Sequence, residues 1–229
     1  MRSIGTSRFR VTDLFAADAG ILAIVLRTLV VSGTATALAV LVGVPVGYGI
    51  ARKRFRGRTV LLGLINTGMG MPPVVVGLVV WVLLVRSGPF GDLDLIYTRV
   101  AMILAQFLIA TPIVVGLTTA SLQALSPRLA DLLAVLGAGR MRTMFILARE
   151  AKLGLIATIM AAFGAIVSEV GASMIVGGNL ERSTRVLTTA IVTETSRGEI
   201  ERALTLGLIL LGLSFIVNLA FTIIQQRRS

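Results

Sequence analysis

The side chains able to do more than pack are few, and they gather in four short stretches. Glu169 is a lone carboxylate inside an apolar run. Gly177, Gly178 and Asn179, followed by Arg185, Thr188 and Thr189, set hydroxyl and amide donors beside a guanidinium. Gly70, Pro72 and Pro73 interrupt another apolar run, and Asp131, Leu132, Leu133, Gly137, Ala138, Gly139 and Arg140 lie in a long polar connection. Donors, a cation and kinked backbone can hold and release a solute by hydrogen bonds and charge. They do not make a covalent catalyst. The chain has no His and no Cys, which excludes the usual zinc cages and His-based triads. No carboxylate cluster falls within the apolar runs, and without a GxxxxGK[ST] loop the chain does not cradle nucleotide phosphates in the usual way. The expectation is a chain that is not an enzyme and binds no metal or cofactor of its own.

Membrane helices must position these groups. Of 229 residues, 55% are hydrophobic and 14% charged, where an ordinary soluble domain is about 25% charged, and mean hydropathy is +0.93. Five runs, 28–51, 60–85, 100–122, 153–176 and 203–224, each reach the length of about 20 residues that crosses a hydrocarbon core about 30 Å thick. Residues 19–26 extend the first run outside the membrane, with Arg27 snorkelling near the interface. The expected fold class is all-α: one polytopic bundle over 1–229 with about five transmembrane helices.

Lys and Arg are densest at 52–58, across 128–152 and at Arg227-Arg228, which places these stretches in the cytoplasm. An odd number of spans then puts the N-terminus outside, together with the 86–99 and 177–202 connections, and the C-terminus inside. A formal charge of +11 would point to nucleic acid in a soluble chain, but aromatic content is 5% and the basic residues sit between apolar runs. The charge therefore reads as topology, with no nucleic-acid partner. Residues 1–10 are basic but not followed at once by a short apolar core, so no cleavable signal is expected.

Glu169 lies 16 residues beyond position 153, roughly 24 Å along a helix, in the outer half of the membrane. A carboxylate there costs about 3 kcal/mol unless it faces the bundle interior or water. It reads either as a hydrogen-bonding anchor, with Arg27 or backbone amides as partners, or as a titrating group. Three stretches read as helix breaks: Gly43-Val44-Pro45-Val46-Gly47, Gly68-Met69-Gly70-Met71-Pro72-Pro73 and Ala110-Thr111-Pro112. Proline frees backbone groups that lipid tolerates only when they are buried or line a wet path. Close helix packing is the other reading of the same glycines. The stretch after Asn179 reads as a short outer or re-entrant helix, or as a solvated loop.

In the 124–152 connection, Ser126 and Pro127 start a helix and Asp131 sets negative charge near its positive end. Gly137 and Gly139 stop that helix after roughly three turns. An amphipathic segment follows, with Arg140, Arg142, Arg149 and Lys152 among Met141, Met144, Phe145, Ile146 and Leu147. The result is a cytoplasmic helix–turn–helix, either a connection whose arginines anchor headgroups or a docking site.

Asp131-Leu132-Leu133, with Gly137 four residues after Leu133, resembles the EAAxxxG core of the coupling motif of type I ABC importer permeases, and Leu136-Gly137-Ala138 matches its LGA ending. Asp replaces Glu, Leu-Leu replaces Ala-Ala, and Leu147-Ala148-Arg149-Glu150 stands where many members carry Ile-x-Leu-Pro. Ser168-Glu169-Val170-Gly171-Ala172 through Gly177-Gly178-Asn179, then Thr184-Arg185-Val186-Leu187-Thr188-Thr189, resembles the tungstate-type permeases, relatives of the molybdate and sulfate permeases. The resemblance runs over nearly the whole chain from the first span.

It implies a type I permease fold in the cytoplasmic membrane and a homodimer joined to two ABC ATPase subunits, which hold ATP and Mg. An extracytoplasmic oxyanion-binding protein would deliver tungstate or, next, molybdate. Region 131–143 would sit in a groove of each ATPase, and a path between protomers would open alternately at its two ends. Gly70, Pro72, Pro73, Glu169, Gly177, Gly178, Asn179, Arg185, Thr188 and Thr189 are the candidates for path or gate, with hydroxyls touching the oxyanion briefly and Arg185 steering it. The competing readings are a type I permease for another solute such as methionine or sulfate, and an ATP-independent carrier or channel titrating at Glu169.

Overall fold

A computed structural model describes residues 19–53 and 55–226. The readings placed on 1–18, Arg54 and Arg227-Arg228 lie outside the described residues. In chain order the helices are α1 (Ala19–Arg52), α2 (Arg58–Met69), α3 (Pro73–Leu84), α4 (Arg99–Gln123), α5 (Pro127–Val135), α6 (Arg140–Glu150), α7 (Lys152–Val167), α8 (Gly171–Gly177), α9 (Leu187–Ser196) and α10 (Ile200–Gln226). A short 3-10 turn at Gly91–Leu93 lies between α3 and α4. Among the described residues there is no strand, and the fold class is all-α as the composition implies.

By length and composition, α1, α4 and α10 can each cross a membrane alone, and the count reaches five when each of two bent pairs, α2 with α3 and α6 with α7, is taken as one span. Residues 19–26 extend the first span as continuous helix. They belong to α1, whose 34 residues make a rod of about 51 Å.

The interruptions expected at 43–47 and 110–112 are not breaks. Pro45 lies inside α1 and Pro112 inside α4, and both helices run on. The reason is that α1 and α4 support each other at these points. A Cβ on Gly43 would lie 2.7 Å from Val114 Cγ1, and one on Gly47 would lie 2.9 Å from Thr118 Cβ. The glycines are the contact surface that lets two backbones approach. Thr119 Oγ1 donates to Val115 O at 2.7 Å and lies 3.3 Å from Gly47 O, joining the helices where proline weakens α1.

Two other runs do break. Residues 60–85 divide at Gly70-Met71-Pro72, where α2 and α3 meet at 98°. Pro73 fills the first turn of α3 at no cost in donors, and a proline at 72 drives Met71 out of helical geometry. The expected span 153–176 also divides, into α7 and the short α8, at Ser168-Glu169-Val170.

The core is assembled from small and branched residues: Val31, Ala35 and Ala39 of α1, Ala101, Ala105 and Ala110 of α4, Ile166 of α7, and Ala172 and Val176 of α8. By contrast α10 buries only Ala203 and Leu206, near its start. Leu211, Phe215 and Ile216 farther along it are exposed.

Candidate functional site

At one end of the bundle the start of α1, the start of α10 and the 180–186 turn come together. Arg27 does not snorkel. It is 8% exposed, and its Nη1 donates to the carbonyl of Arg185 at 2.6 Å. The next residue, Thr28, accepts from the amide of Leu187 at 2.9 Å, supplying a partner for a free donor at the start of α9. Arg99, first in α4, donates through Nε to the carbonyl of Ser183 at 2.9 Å. Guanidinium groups from two helices thus clamp one turn. Arg185 is also buried, and its Nη1 pairs with Glu181 Oε1 at 3.2 Å. A cavity of about 490 Å³ opens among Arg27, Arg182, Arg185 and Arg202.

Of the donors after Gly177, Thr184 closes the same turn and the others tie neighbouring segments together. Thr184 accepts from Leu180 N at 2.9 Å and donates to the carbonyl of Gly177. Thr188 Oγ1 donates to the carbonyl of Glu169 at 3.0 Å. Thr189 Oγ1 accepts from Val186 N at 3.1 Å, and Asn179 Nδ2 donates to Thr193 Oγ1. Gly178 sits at φ +65 against Tyr97 and Gly177 against Met102, positions with no room for a Cβ. In this conformation Thr184, Thr188 and Thr189 are buried and their hydroxyls are engaged within the chain. Sequence reasoning missed Arg27 and Thr184 as members of this cluster. A cation within an apolar helix was the readable signal for Arg27.

Glu169 lies in the gap between α7 and α8 and not within a continuous helix. Its Oε1 accepts from Ala172 N at 2.9 Å, which caps α8. A backbone amide, not Arg27, is its partner. The gap meets the other broken run: a Cβ on Gly171 would lie 2.3 Å from Val74 Cγ2 at the start of α3, one residue after Pro73. A Cβ on Gly77 would lie 2.6 Å from Ala172 Cα. The structure therefore sets the start of α3, just after Pro72 and Pro73, against the start of α8 beside Glu169, and Thr188 binds the Glu169 carbonyl from α9. Gly70 instead closes the end of α2, and Arg185 and Thr189 bond to Glu181 and Val186.

At the opposite end, α5 and α6 form an elbow. Gly137 has φ +72, and Ala138 N donates to Leu133 O at 2.9 Å. This is the six-to-one bond of a helix stop that needs a left-handed residue, for which glycine is suited. The spacing of Leu133, Gly137 and Ala138 is thus that of a Schellman turn. Leu133 and Ala138 pack with Leu122, Leu147 and Ala151, and with Tyr48 and Ala51 at the end of α1. Leu132, Leu136, Met141 and Phe145 remain exposed, beside exposed Gly139 and Arg140. The side chain of Asp131 lies outside the described set. Helix α7 leaves the elbow at 78° to α6.

The family model for the binding-protein-dependent transport system inner membrane component matches residues 43–229. The chain belongs to this family. The permease is 41% identical over 196 residues to a probable anion ABC transporter permease protein of Haloferax volcanii, covering 83% of this chain and 84% of the relative. It is 37% identical over 213 residues to the tungstate uptake system permease protein TupB of Peptoclostridium acidaminophilum, covering 93% of each. To TupB of Campylobacter jejuni it is 33% identical, over 90% of this chain and 86% of the relative.

Among solved structures, the inward-facing MetNI methionine ABC transporter matches with a TM-score of 0.74 at 16% identity, over 92% of this chain and 97% of that one. This likeness establishes the fold, that of a type I ABC importer permease. The permease is a multi-pass component of the cytoplasmic membrane, as its apolar helices require.

Proposed function

We propose that the permease imports tungstate by alternating access, as one half of a homodimer joined to two separate ATPase subunits and served by an extracytoplasmic binding protein. The observation that carries this reading is the identity of 37% and 33% to two tungstate uptake permeases over at least nine-tenths of the chain. The elbow supplies the ATPase contact: an apolar ridge of Leu132, Leu136, Met141 and Phe145, bordered by Arg128, Arg140 and Arg142. ATP and Mg belong to the ATPase. Leu133 and Leu147 tie the elbow to α1 and α4, so a displacement of the ATPases reaches the bundle as movement of whole helices. The adjoining breaks at 70–73 and 168–170 are where the path changes shape. Exposed apolar faces on α2, α3 and α10 are shared between lipid and the second protomer. The basic end of α5 and α6 lies in the cytoplasm and the arginine-rich cavity outside.

Molybdate is the second cargo, in view of 27% identity to a molybdenum permease of Azotobacter vinelandii. The test is ATP hydrolysis by the purified complex in lipid, with binding protein loaded in turn with tungstate, molybdate or sulfate. Tungstate is expected to stimulate most. Greater stimulation by molybdate reassigns the cargo, and anion flux without nucleotide overturns the ATP-driven mechanism.

A further inference from the structure

The cavity beside the 180–186 turn holds a charge arrangement of which the import reading uses only Arg185, as a steering residue. Arg27, Arg182, Arg185 and Arg202 line it against Glu181 and Glu194. Both carboxylates are engaged: Glu181 with Arg185 at 3.2 Å, and Glu194 with Arg197, outside the lining, at 3.6 Å. Cations therefore outnumber carboxylates, and one of the cations is incompletely bonded. Arg185 is 8% exposed, yet its Nε has no hydrogen-bond partner. Leaving such a donor buried and unmatched is unfavourable, and Arg185 also lines the cavity.

We infer that this cavity binds one tetrahedral oxyanion, gripped from inside by Arg27 and Arg185 and from the rim by Arg182 and Arg202. Guanidinium forks match pairs of oxygens on such an anion. At about 30 Å³ per water, a cavity of about 490 Å³ also admits several waters, so the anion is held partly hydrated and released readily. A free oxyanion and the phosphate of an anionic lipid headgroup offer the same chemistry. Binding here requires neither ATPase nor binding protein.

The experiment uses the full-length permease in nanodiscs of phosphatidylcholine, with and without phosphatidylglycerol. Bound tungstate is measured by equilibrium dialysis with elemental mass spectrometry, and retained lipid by native mass spectrometry. Arg182→Gln with Arg202→Gln changes only exposed rim residues and is expected to weaken tungstate binding roughly tenfold or more. Arg185→Lys keeps the charge but removes the fork, and is expected to weaken binding by a similar factor in protein that still elutes as a folded species.

Tungstate binding that phosphatidylglycerol leaves unchanged identifies a free oxyanion as the ligand. Binding abolished by a retained phosphatidylglycerol identifies a headgroup phosphate. The inference is overturned if neither tungstate nor anionic lipid binds in phosphatidylcholine or mixed discs, or if all three substitutions leave binding unchanged. Such a failure leaves ATP-driven import standing, because the assay contains no ATPase. Failure of import in turn leaves this binding measurable.

Discussion

Gly137, in the elbow, holds φ +72 with no atom of the described residues beyond its own chain neighbours within 4 Å of where a Cβ would be, whereas Gly178, at the other end, holds φ +65 with Tyr97 Cδ1 2.7 Å from that point. The two glycines meet the same backbone need in opposite surroundings. Around Gly178 the chain is tied to itself: Arg27, Arg99, Thr184 and Thr188 donate hydrogen bonds to carbonyls of other segments. Around Gly137 apolar side chains face outward. One end is closed on its own contacts, and the other presents the exposed apolar surface proposed as the ATPase contact.

Substitutions at each end sharpen this contrast. Gly178→Ala combines left-handed strain with a clash against Tyr97, and should cost about 2–5 kcal/mol, read as a large drop in the thermal unfolding midpoint in detergent. Arg27→Met strips the donor from the Arg185 carbonyl and should cost about 1–3 kcal/mol by the same measurement. Gly137→Ala carries strain without a clash, about 1–2 kcal/mol. Phe145→Ala should leave the unfolding midpoint within about 0.5 kcal/mol of the parent while weakening attachment of the ATPase, seen as loss of co-purification. If Gly137→Ala and Gly178→Ala prove equally destabilising, the contrast between the ends is wrong.

Much of this was legible in the sequence. Apolar run lengths marked the helices, and Gly70-Met71-Pro72-Pro73 announced a true break because two successive prolines cannot both be accommodated in a helix. Pro45 and Pro112 misled for a tertiary reason: only the folded bundle reveals that Gly43 and Gly47 lie against Val114 and Thr118. The break at Glu169 was hidden within a continuous apolar run. Its one local sign was a polar pair, Ser168-Glu169, ahead of Gly171, a helix-start signal. The arginine cavity was illegible because Arg27 and Arg185 are 158 positions apart in sequence. The Leu133-Gly137-Ala138 spacing was visible as a motif, and its physical basis, a helix stop closed by a left-handed glycine, needed the backbone angles.

The most direct test of the account is tungstate uptake into proteoliposomes holding the permease, its ATPase and its binding protein, compared between the parent and Gly137→Val. The account predicts ATP-dependent uptake that falls roughly tenfold or more in the variant, with the bundle still folded. Uptake without ATP, or undiminished uptake by folded Gly137→Val, would contradict it.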